Sequence, residues 1–482
     1  MDERELRRLN AGETFAGCEA LWRDGAREAL EGLYNALRPN PNERIVVLDD
    51  DPTGVQTVHD IEVVTRWDEA TLRAMLGGDK RMFFVLTNSR SFSAAKTGAV
   101  HRQIAENALR AAGATGRQLT VISRGDSTLR GHYPLETRTL KEVLSEKTPL
   151  DGEILCPFFA EGGRFTLNGV HYVRQGEWLT PAAQTEFAKD GTFGYRHSFL
   201  PDYIEEKSGG TIPSGSVEVI RLEPLRRLRF DEIEARLLAR GRYTYAVADA
   251  LEEADVQALA VLLARLEKRG RRYLLRSAAA VPKVLGHVSD RALLGREELA
   301  GAQDGRGGLV LVGSHVKKTT DQLDCLRRSA APLEFIEFDV SEWRSPDRLE
   351  QETHRVARAA GNAIESGITA VVYTSRTVVA PQDADAETLL AISVRISDAV
   401  TAVVASLPVR PRFLIAKGGI TSSDVGVKAL GVVRATVLGQ AAPGVPVWRT
   451  GPESRFPGLS YVIFPGNVGN ADTLRTIVEK LA

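Results

Sequence analysis

The stretch from Arg44 to Asp60 reads RIVVLDDDPTGVQTVHD. Ile45, Val46, Val47 and Leu48 make a run too short for a helix and dense enough in apolar, β-branched residues for a buried strand. The run then breaks into Asp49, Asp50, Asp51, Pro52, Thr53 and Gly54. Three adjacent carboxylates repel one another, so packing alone does not favour them at a strand end. Pro52 fixes φ and Gly54 opens conformations closed to other residues, so the backbone must turn sharply here. Acid, hydroxyl and glycine at the carboxyl end of a buried strand mark the place where open α/β sheets bind ligands. A solvated turn built on an Asx motif would use the same residues.

The chain around this stretch has 482 residues, more than one compact core usually serves, so two or more domains are expected. Hydrophobic residues are 43% and charged residues 26%, the composition of an ordinary globular protein. A net charge of -1 implies no global attraction to nucleic acid or to an anionic membrane. Cys18, Cys156 and Cys325 lie far apart without CxxC spacing, which suggests neither a disulfide framework nor a metal site. The first residues, MDERELRRLN, are charged and lack the apolar core of a signal peptide. No apolar run is long enough to span a bilayer, so a cytoplasmic protein is expected.

Residues 1–43 read as an N-terminal helical arm. Leu30, Leu33, Tyr34 and Leu37 fall on one apolar stripe, and Pro39 and Pro41 stop the helix. The arm is expected to pack against a domain or a partner subunit, which admits a homodimer. Residues 44–296 then alternate strand and helix as a first domain. MFFVLT (Met82–Thr87) runs into Asn88, Ser89, Arg90 and Ser91, and LTVIS (Leu119–Ser123) runs into RGDSTLRGHYPLE. In a parallel sheet the carboxyl ends share one edge, so DDDPTG, NSRS and RGDSTLRG can converge. Arg90, Arg124 and Arg130 offer forked donors to a carboxylate or phosphate. Asp50, Asp51 and Asp126 can accept hydrogen bonds from sugar hydroxyls, and one of them can act as general base. Asp126, between the two arginines of RGDSTLR, is slightly preferred for that role, with Asp51 as its competitor. A structural ion-pair network of Arg124, Asp126 and Arg130 is the alternative. Further on, Asn168-Gly169 joins the alternating runs RFTL and VHYV, a strong hairpin signal. Phe158, Phe159, Glu161, Gly162, Gly163 and Arg164, just before it, are candidates for a pocket wall.

The polar, glycine-rich stretch 297–308 reads as a linker, and 309–482 restarts the α/β alternation as a second domain. Strand ends here carry glycine and hydroxyl residues in place of acids. LVLVG runs into Ser314, His315, Lys317 and Lys318, and ITAVVYTS into Arg376. RFLIA runs into KGGITSSD, and YVIFP into GNVGN. A glycine turn entering a helix is a ready anion site, which makes phosphate the natural ligand. KGGITSSD also looks like a helix start capped by Thr421, Ser422 or Ser423. There is no GxxxxGK[ST] and no GxGxxG after the first strand, so neither a Walker loop nor a common dinucleotide domain is indicated.

The ordered set DDDPTG, LTNSRS, RGDSTLRG, GSHVKKT, YTSR, AKGGITSSD, VLGQ and PGNVGN resembles the four-carbon acid sugar kinase family, long catalogued as a domain of unknown function. The resemblance runs from about Arg44 to the C-terminus. It implies two α/β domains with mostly parallel sheets facing a cleft, one binding the acid sugar and the other the nucleotide. It also implies ATP-dependent phosphorylation of threonate, erythronate or 3-oxo-tetronate, with Mg²⁺ on the phosphates. Ser314, Lys417, Gly418, Gly419, Ile420, Thr421 and Gly466 fall in the nucleotide motifs. Asp50, Asp51, Arg90, Arg124, Asp126 and Arg130 fall in the acid-sugar motifs. The chain departs from the commoner DDFTG form in Pro52 and the additional Asp49, and it carries Lys417 ahead of the glycine pair. A non-catalytic sugar-acid sensor and a nicotinamide-dependent dehydrogenase are the rival classes.

Overall fold

The computed structural model describes residues 3, 6–23, 25–241, 243–300, 305–313, 317–375, 386–466 and 468–482. In chain order the strands of the first half are β1 (Leu9–Asn10), β2 (Glu43–Asp49), β3 (Ile61–Val64), β4 (Met82–Leu86), β5 (Gln118–Arg124), β6 (Gly152–Cys156), β7 (Arg164–Leu167), β8 (Val170–Gln175), β9 (Trp178–Pro181), β10 (Glu218–Ile220), β11 (Thr244–Ala248) and β12 (Tyr273–Ser277). Those of the second half are β13 (Leu309–Val312), β14 (Leu333–Phe338), β15 (Thr369–Thr374), β16 (Phe413–Lys417), β17 (Arg434–Ala442), β18 (Val445–Thr450) and β19 (Ser460–Phe464). Helices connect the parallel strands, as the α/β reading requires. The chain divides into two compact units, Met1–Gly54 with Arg66–Ser289 and Val55–Thr65 with Asp290–Ala482.

In the first unit a parallel sheet runs in the order β10-β11-β6-β12-β5-β2-β4. Helices cover both faces of such a sheet, so its strands read as unbroken apolar runs; Ile45, Val46, Val47 and Leu48 are all buried. Burying each such side chain is worth roughly 1.5–3 kcal/mol. The helix Ala94–Thr115 shows how local signals set the connections. The Ser93 side chain caps its start by accepting from the Lys96 amide, and Gly116 ends it at φ 66°. Ile104, Ala105 and Ala108 face the core. From β2 the sheet grows to β4 on one side and then jumps back to β5 on the other. That reversal makes the carboxyl ends of β2 and β5 a switch point.

The second unit has the order β3-β17-β18-β19-β16-β13-β15-β14. Strands β19, β16, β13, β15 and β14 are parallel, whereas β3, β17 and β18 are joined antiparallel. Val310, Val312, Phe413, Ile415, Val462 and Phe464 belong to its core. Here β13 is followed by β14 and β15 on one side and by β16 on the other, so the switch point lies between β13 and β16.

The division differs from the expected boundaries of 44–296 and 309–482. The chain leaves the first unit after Gly54, contributes β3 to the second, and returns at Arg66. Its final passage falls at Ser289 and Asp290, ahead of the expected linker at 297–308. Arg296–Ala300 is a helix, and 301–304 lie outside the described residues. The cause is long-range: β3 pairs antiparallel with β17, with Val64 opposite Arg434. Local composition carries no trace of such a pairing.

The arm packs on the first unit. Leu30 is buried and the Tyr34 hydroxyl donates to Val284 O at 2.6 Å, but Leu33 is 44% exposed and Leu37 only caps the helix Ala26–Ala36. The Asn168-Gly169 turn is confirmed: both residues are left-handed, at φ 53° and 77°, between antiparallel β7 and β8. The ribbon sits in a sheet of its own, ordered β1-β9-β8-β7. No helix among the described residues is long and apolar enough to cross a membrane.

Candidate functional site

The first candidate site lies at the switch point of the first unit. Asp49 and Arg124 are register partners at the ends of β2 and β5, which places both side chains on one face. Arg124 Nη1 donates to Asp49 Oδ1 at 3.1 Å and lies 3.5 Å from Asp50 Oδ1. Arg90 follows β4, on a turn set by left-handed Asn88. Its Nη2 donates to Asp50 Oδ1 at 2.7 Å and its Nε to Oδ2 at 3.3 Å, with Nη1 3.6 Å from Asp51 Oδ2. Asp51 Oδ1 accepts from the Thr53 amide and hydroxyl, at 2.8 and 2.6 Å. The Asx motif is therefore present at Asp51, but the turn is not a solvated one, because Asp49 and Asp50 are buried. Gly54 closes against this cluster: a Cβ there would stand 1.9 Å from Asp49 Oδ2.

The RGDSTLRG loop supplies the rest. Arg130 Nε donates to Asp126 Oδ2 at 2.7 Å, and the Thr128 hydroxyl donates to the same oxygen. Asp126 Oδ1 accepts no hydrogen bond among the described residues. The backbone of the loop is gripped from behind. The Tyr195 and Tyr203 hydroxyls donate to Thr128 O and Leu129 O, both at 2.8 Å, and His171 Nε2 is 2.8 Å from Ser127 O. On the opposite face of the sheet, Arg276 donates to Ser123 Oγ and to Glu136 Oε2 at 2.8 and 2.6 Å. Ser89 Oγ donates to the second Glu136 oxygen at 2.8 Å. A Cβ at Gly125 would stand 2.1 Å from Arg276 Nη2, so the loop can lie on this guanidinium only because Gly125 has no side chain.

The three expected clusters thus meet. Of the Arg124, Asp126 and Arg130 network, the Asp126–Arg130 pair forms, but Arg124 pairs with Asp49 and Asp50 in place of Asp126. The electrostatics diverge accordingly. Burial pushes the Asp49 carboxyl up to about 7, outweighing the pull of Arg124, with Asp50 and Asp51 adding to the rise. Burial also raises Asp126, but Arg90, Arg130 and Thr128 together hold it well below the usual carboxylate range. Asp51 likewise ends below its ordinary value, as Arg90 and the Thr53 bonds overcome burial. Burial works against the Arg90 cation, yet Asp50, Asp51 and Asp126 hold it charged.

The second candidate site lies between β13 and β16 of the second unit. Val312 and Lys417 are register partners, and Gly313 N donates to Lys417 O at 3.3 Å. A Cβ on Gly313 would meet Thr421 Oγ1 at 2.3 Å. Gly418 sits at φ 128°, a region that L side chains rarely adopt, and its amide donates to Phe464 O at 2.9 Å. The helix Gly419–Asp424 follows directly. The expected hydroxyl cap is not found: Thr421, Ser422 and Ser423 lie inside the helix, and Ser422 Oγ donates back to Gly418 O at 2.8 Å. Lys417 is fully buried, with Nζ 3.2 Å from Pro465 O and 3.8 Å from the centre of the Phe464 ring. Burial, helped by Lys318, pushes its ammonium down to about 7. The Thr319 hydroxyl donates to Gly466 O at 3.3 Å. Ser314, His315, Arg376, Asn467 and the side chain of Ile420 lie outside the described residues.

Sequence reasoning missed Asp49 as a participant, together with Arg276, Glu136, His171, Tyr195 and Tyr203. A buried arginine in the apolar strand YLLRS was a legible signal for Arg276, since arginine is rarely buried without a partner. The tyrosines and His171 carried no signal, because they reach the loop from 44 to 74 residues away.

No curated protein matches the chain. Among solved structures, a Haemophilus influenzae protein from a domain family of unknown function matches with TM-score 0.60 and 20% identity, over 91% of this chain and all of the other. A Salmonella typhimurium LT2 protein described provisionally as a tRNA synthase matches with TM-score 0.64 and 20% identity, over 90% of this chain and 98% of the other. At that identity the likeness shows the fold alone. The family model of a sugar-binding N-terminal domain matches residues 45–285, and that of a nucleotide-binding C-terminal domain matches 309–474. With both models matched in this order, the chain belongs to the four-carbon acid sugar kinase family.

Proposed function

We propose that the protein is an ATP-dependent kinase that phosphorylates a hydroxyl of a four-carbon acid sugar of the threonate, erythronate or 3-oxo-tetronate type. The observation that carries this reading is the contrast between the two switch points. One is lined by carboxylates and guanidiniums, which suit a polyhydroxy acid. The other is lined by Gly313 and Gly418, which let a backbone approach phosphate closely.

In this reaction a hydroxyl of the acid attacks the γ-phosphate of ATP in line. The hydroxyl oxygen forms a bond to phosphorus, the bond from phosphorus to the β–γ bridging oxygen breaks, and ADP leaves with that electron pair. The hydroxyl proton passes to a carboxylate and from there to water. Asp126 is our choice for the acceptor: Oδ2 is held by Arg130 and Thr128 while Oδ1 is open to the hydroxyl. Asp51 is the competitor, and Asp50 orients the substrate. In phosphoryl transfer such a group contributes mainly by positioning. Lys417, Gly418, Gly419, Ile420, Thr421, Gly466 and Ser314 are the proposed nucleotide contacts.

Among the described residues no group of three or more His, Cys, Asp or Glu side chains is placed to hold a metal ion. Mg²⁺ bound with ATP would neutralise phosphate charge and keep several waters. The test is coupled detection of ADP with a panel of four-carbon acids and their neutral counterparts. Acid-dependent ADP release is expected. Binding of the acid with no release would leave a sugar-acid sensor in its place.

A further inference from the structure

We propose that Arg164 is the guanidinium that receives the substrate's carboxylate and makes the first unit's site selective for acids over neutral sugars. The inference rests on the acid-sugar reading above and names the group that reads the acid.

Pairing of charges singles Arg164 out. Arg90 is forked onto Asp50, Arg124 is paired with Asp49, Arg130 with Asp126, and Arg276 with Glu136. Each of those guanidiniums already has a carboxylate. Arg164 forms no ion pair and no side-chain hydrogen bond among the described residues, and its Nε is buried without a partner. A buried N–H left unmade is costly, and a carboxylate supplying two parallel acceptors is the group that satisfies it best.

Its placement is fixed by the same framework that holds the RGDSTLRG loop. Arg164 opens β7, with backbone hydrogen bonds to Phe159 at 2.9 and 3.1 Å and Val173 as its register partner. The adjoining strand β8 carries His171, which reaches Ser127 O of that loop. The Phe187 ring lies 5.3 Å from both the Arg164 and the Arg130 guanidinium carbons, so one aromatic ring seats two cations. Asp126 is within electrostatic reach of Arg164. Burial nevertheless lowers the Arg164 cation, and Arg130 adds to the effect against the pull of Asp126. An incoming anion compensates the charge that the protein leaves under-compensated. A carboxylate held here puts the hydroxyl-bearing carbons of a short acid on the side of Asp126.

The experiment titrates full-length protein with threonate, erythronate and the corresponding amides by calorimetry, alongside acid-dependent ADP release. Wild type is compared with Arg164→Met, Arg164→Lys and Arg174→Gln. Arg174 lies on the same hairpin, and its side chain is exposed. Arg164→Met is expected to bind the acids roughly 10- to 100-fold more weakly, the range for losing one charged hydrogen-bonded contact. Its affinity for the amides should be unchanged, and kcat at saturation should stay near that of wild type. Arg164→Lys should fall between the two, and Arg174→Gln should match wild type. Arg164→Lys carries the test if Arg164→Met fails to unfold cooperatively. A folded Arg164 variant that keeps the wild-type preference for acid over amide overturns the proposal, as does a wild type with no such preference. If the preference depends on Arg164 but no acid drives ADP release, the inference stands and the kinase reading falls. If acid drives ADP release and the variants keep the preference, the inference falls and the kinase reading stands.

Discussion

Asp49 and Arg124 end adjacent parallel strands at the same register position and meet at 3.1 Å, yet the carboxyl of this pair is pushed up to about 7 by burial. Arg124 also lies 3.5 Å from Asp50, so its charge is divided between two acids. The additional aspartate of DDDPTG is therefore a group that exchanges its proton near neutrality beside the proposed acid-sugar site.

From this follows a pH dependence. Above about 7 Asp49 adds a negative charge that opposes the substrate carboxylate. KM for the acid is expected to rise as pH increases through that value, and Asp49→Asn should flatten the profile. Stability carries the same sign. The folded-state value lies above that of an unfolded carboxyl, so this contribution is complete below the unfolded value and is lost as pH rises through about 7. KM measured between about pH 5.5 and 8.5, a range that brackets the folded-state value, decides; a rise that persists in Asp49→Asn assigns it to another group.

Gly54→Ala tests the packing behind that pair. The added Cβ would stand 1.9 Å from Asp49 Oδ2, so the carboxylate must move and Arg124 with it. Overpacking of this kind costs roughly 1–3 kcal/mol. A lower denaturation midpoint and a higher KM for the acid are expected, with nucleotide affinity retained. A folded variant with native KM would detach Asp49 from substrate binding.

Much of this arrangement was legible in the sequence because parallel strands are apolar along their whole length and end abruptly. Ile45–Leu48, Met82–Leu86 and Phe413–Ala416 announce themselves, and so do the polar motifs that follow them. Pairing across the sheet was not legible. The Asp126–Arg130 pair lies within one loop at short spacing, but that Arg124 belongs to Asp49 depends on register, which local spacing does not encode. The same holds for β3, which joins β17 in the other unit by long-range pairing. Arg164 was visible only as part of a glycine-rich wall, because its lack of a partner is a property of three dimensions.

In the second unit, Gly418→Ala should weaken nucleotide binding. At φ 128° a side chain is strained by roughly 1–3 kcal/mol, and relief would turn the backbone between Lys417 and the following helix. Titration with ATP and with the acid sugar separates the effects. Loss of ATP affinity with acid affinity intact is expected, and equal ATP affinity in a folded variant removes this turn from the nucleotide site.

Lys417 gives a second pH signature, opposite to that of Asp49. Its folded-state value is depressed to about 7, so its contribution to stability is present above the unfolded lysine value and is lost as pH falls through about 7. Lys417→Met should therefore raise the Tm relative to wild type more at about pH 6 than at about pH 9. If phosphate binds beside Lys417, the ammonium is favoured and ATP binding takes up protons at about pH 8. Calorimetry in two buffers of different ionisation enthalpy measures that uptake. Its absence would mean that Lys417 supports the Phe464–Gly466 turn without serving the nucleotide.

The last prediction concerns how far Asp126 and Arg130 act as one group. Simple assignment gives the aspartate to catalysis and the arginine to binding, and so gives opposite kinetic signatures. The 2.7 Å bond from Arg130 Nε to Asp126 Oδ2 couples them. Asp126→Asn is expected to lower kcat with little change in KM, because its contact with the hydroxyl develops mainly in the transition state. That loss should not vary with pH across the neutral range, since Arg90, Arg130 and Thr128 keep the carboxylate ionised despite its burial. Arg130→Ala should raise KM, by roughly 1.5–3 kcal/mol if a charged hydrogen bond to substrate is lost, and should lower kcat as well by freeing Asp126. The double variant should then be less impaired than the product of the two single effects, the mark of residues in direct contact. Full additivity would show that the pair does not act as a unit. Near-native kcat in both Asp126→Asn and Asp51→Asn would show that neither carboxylate receives the proton.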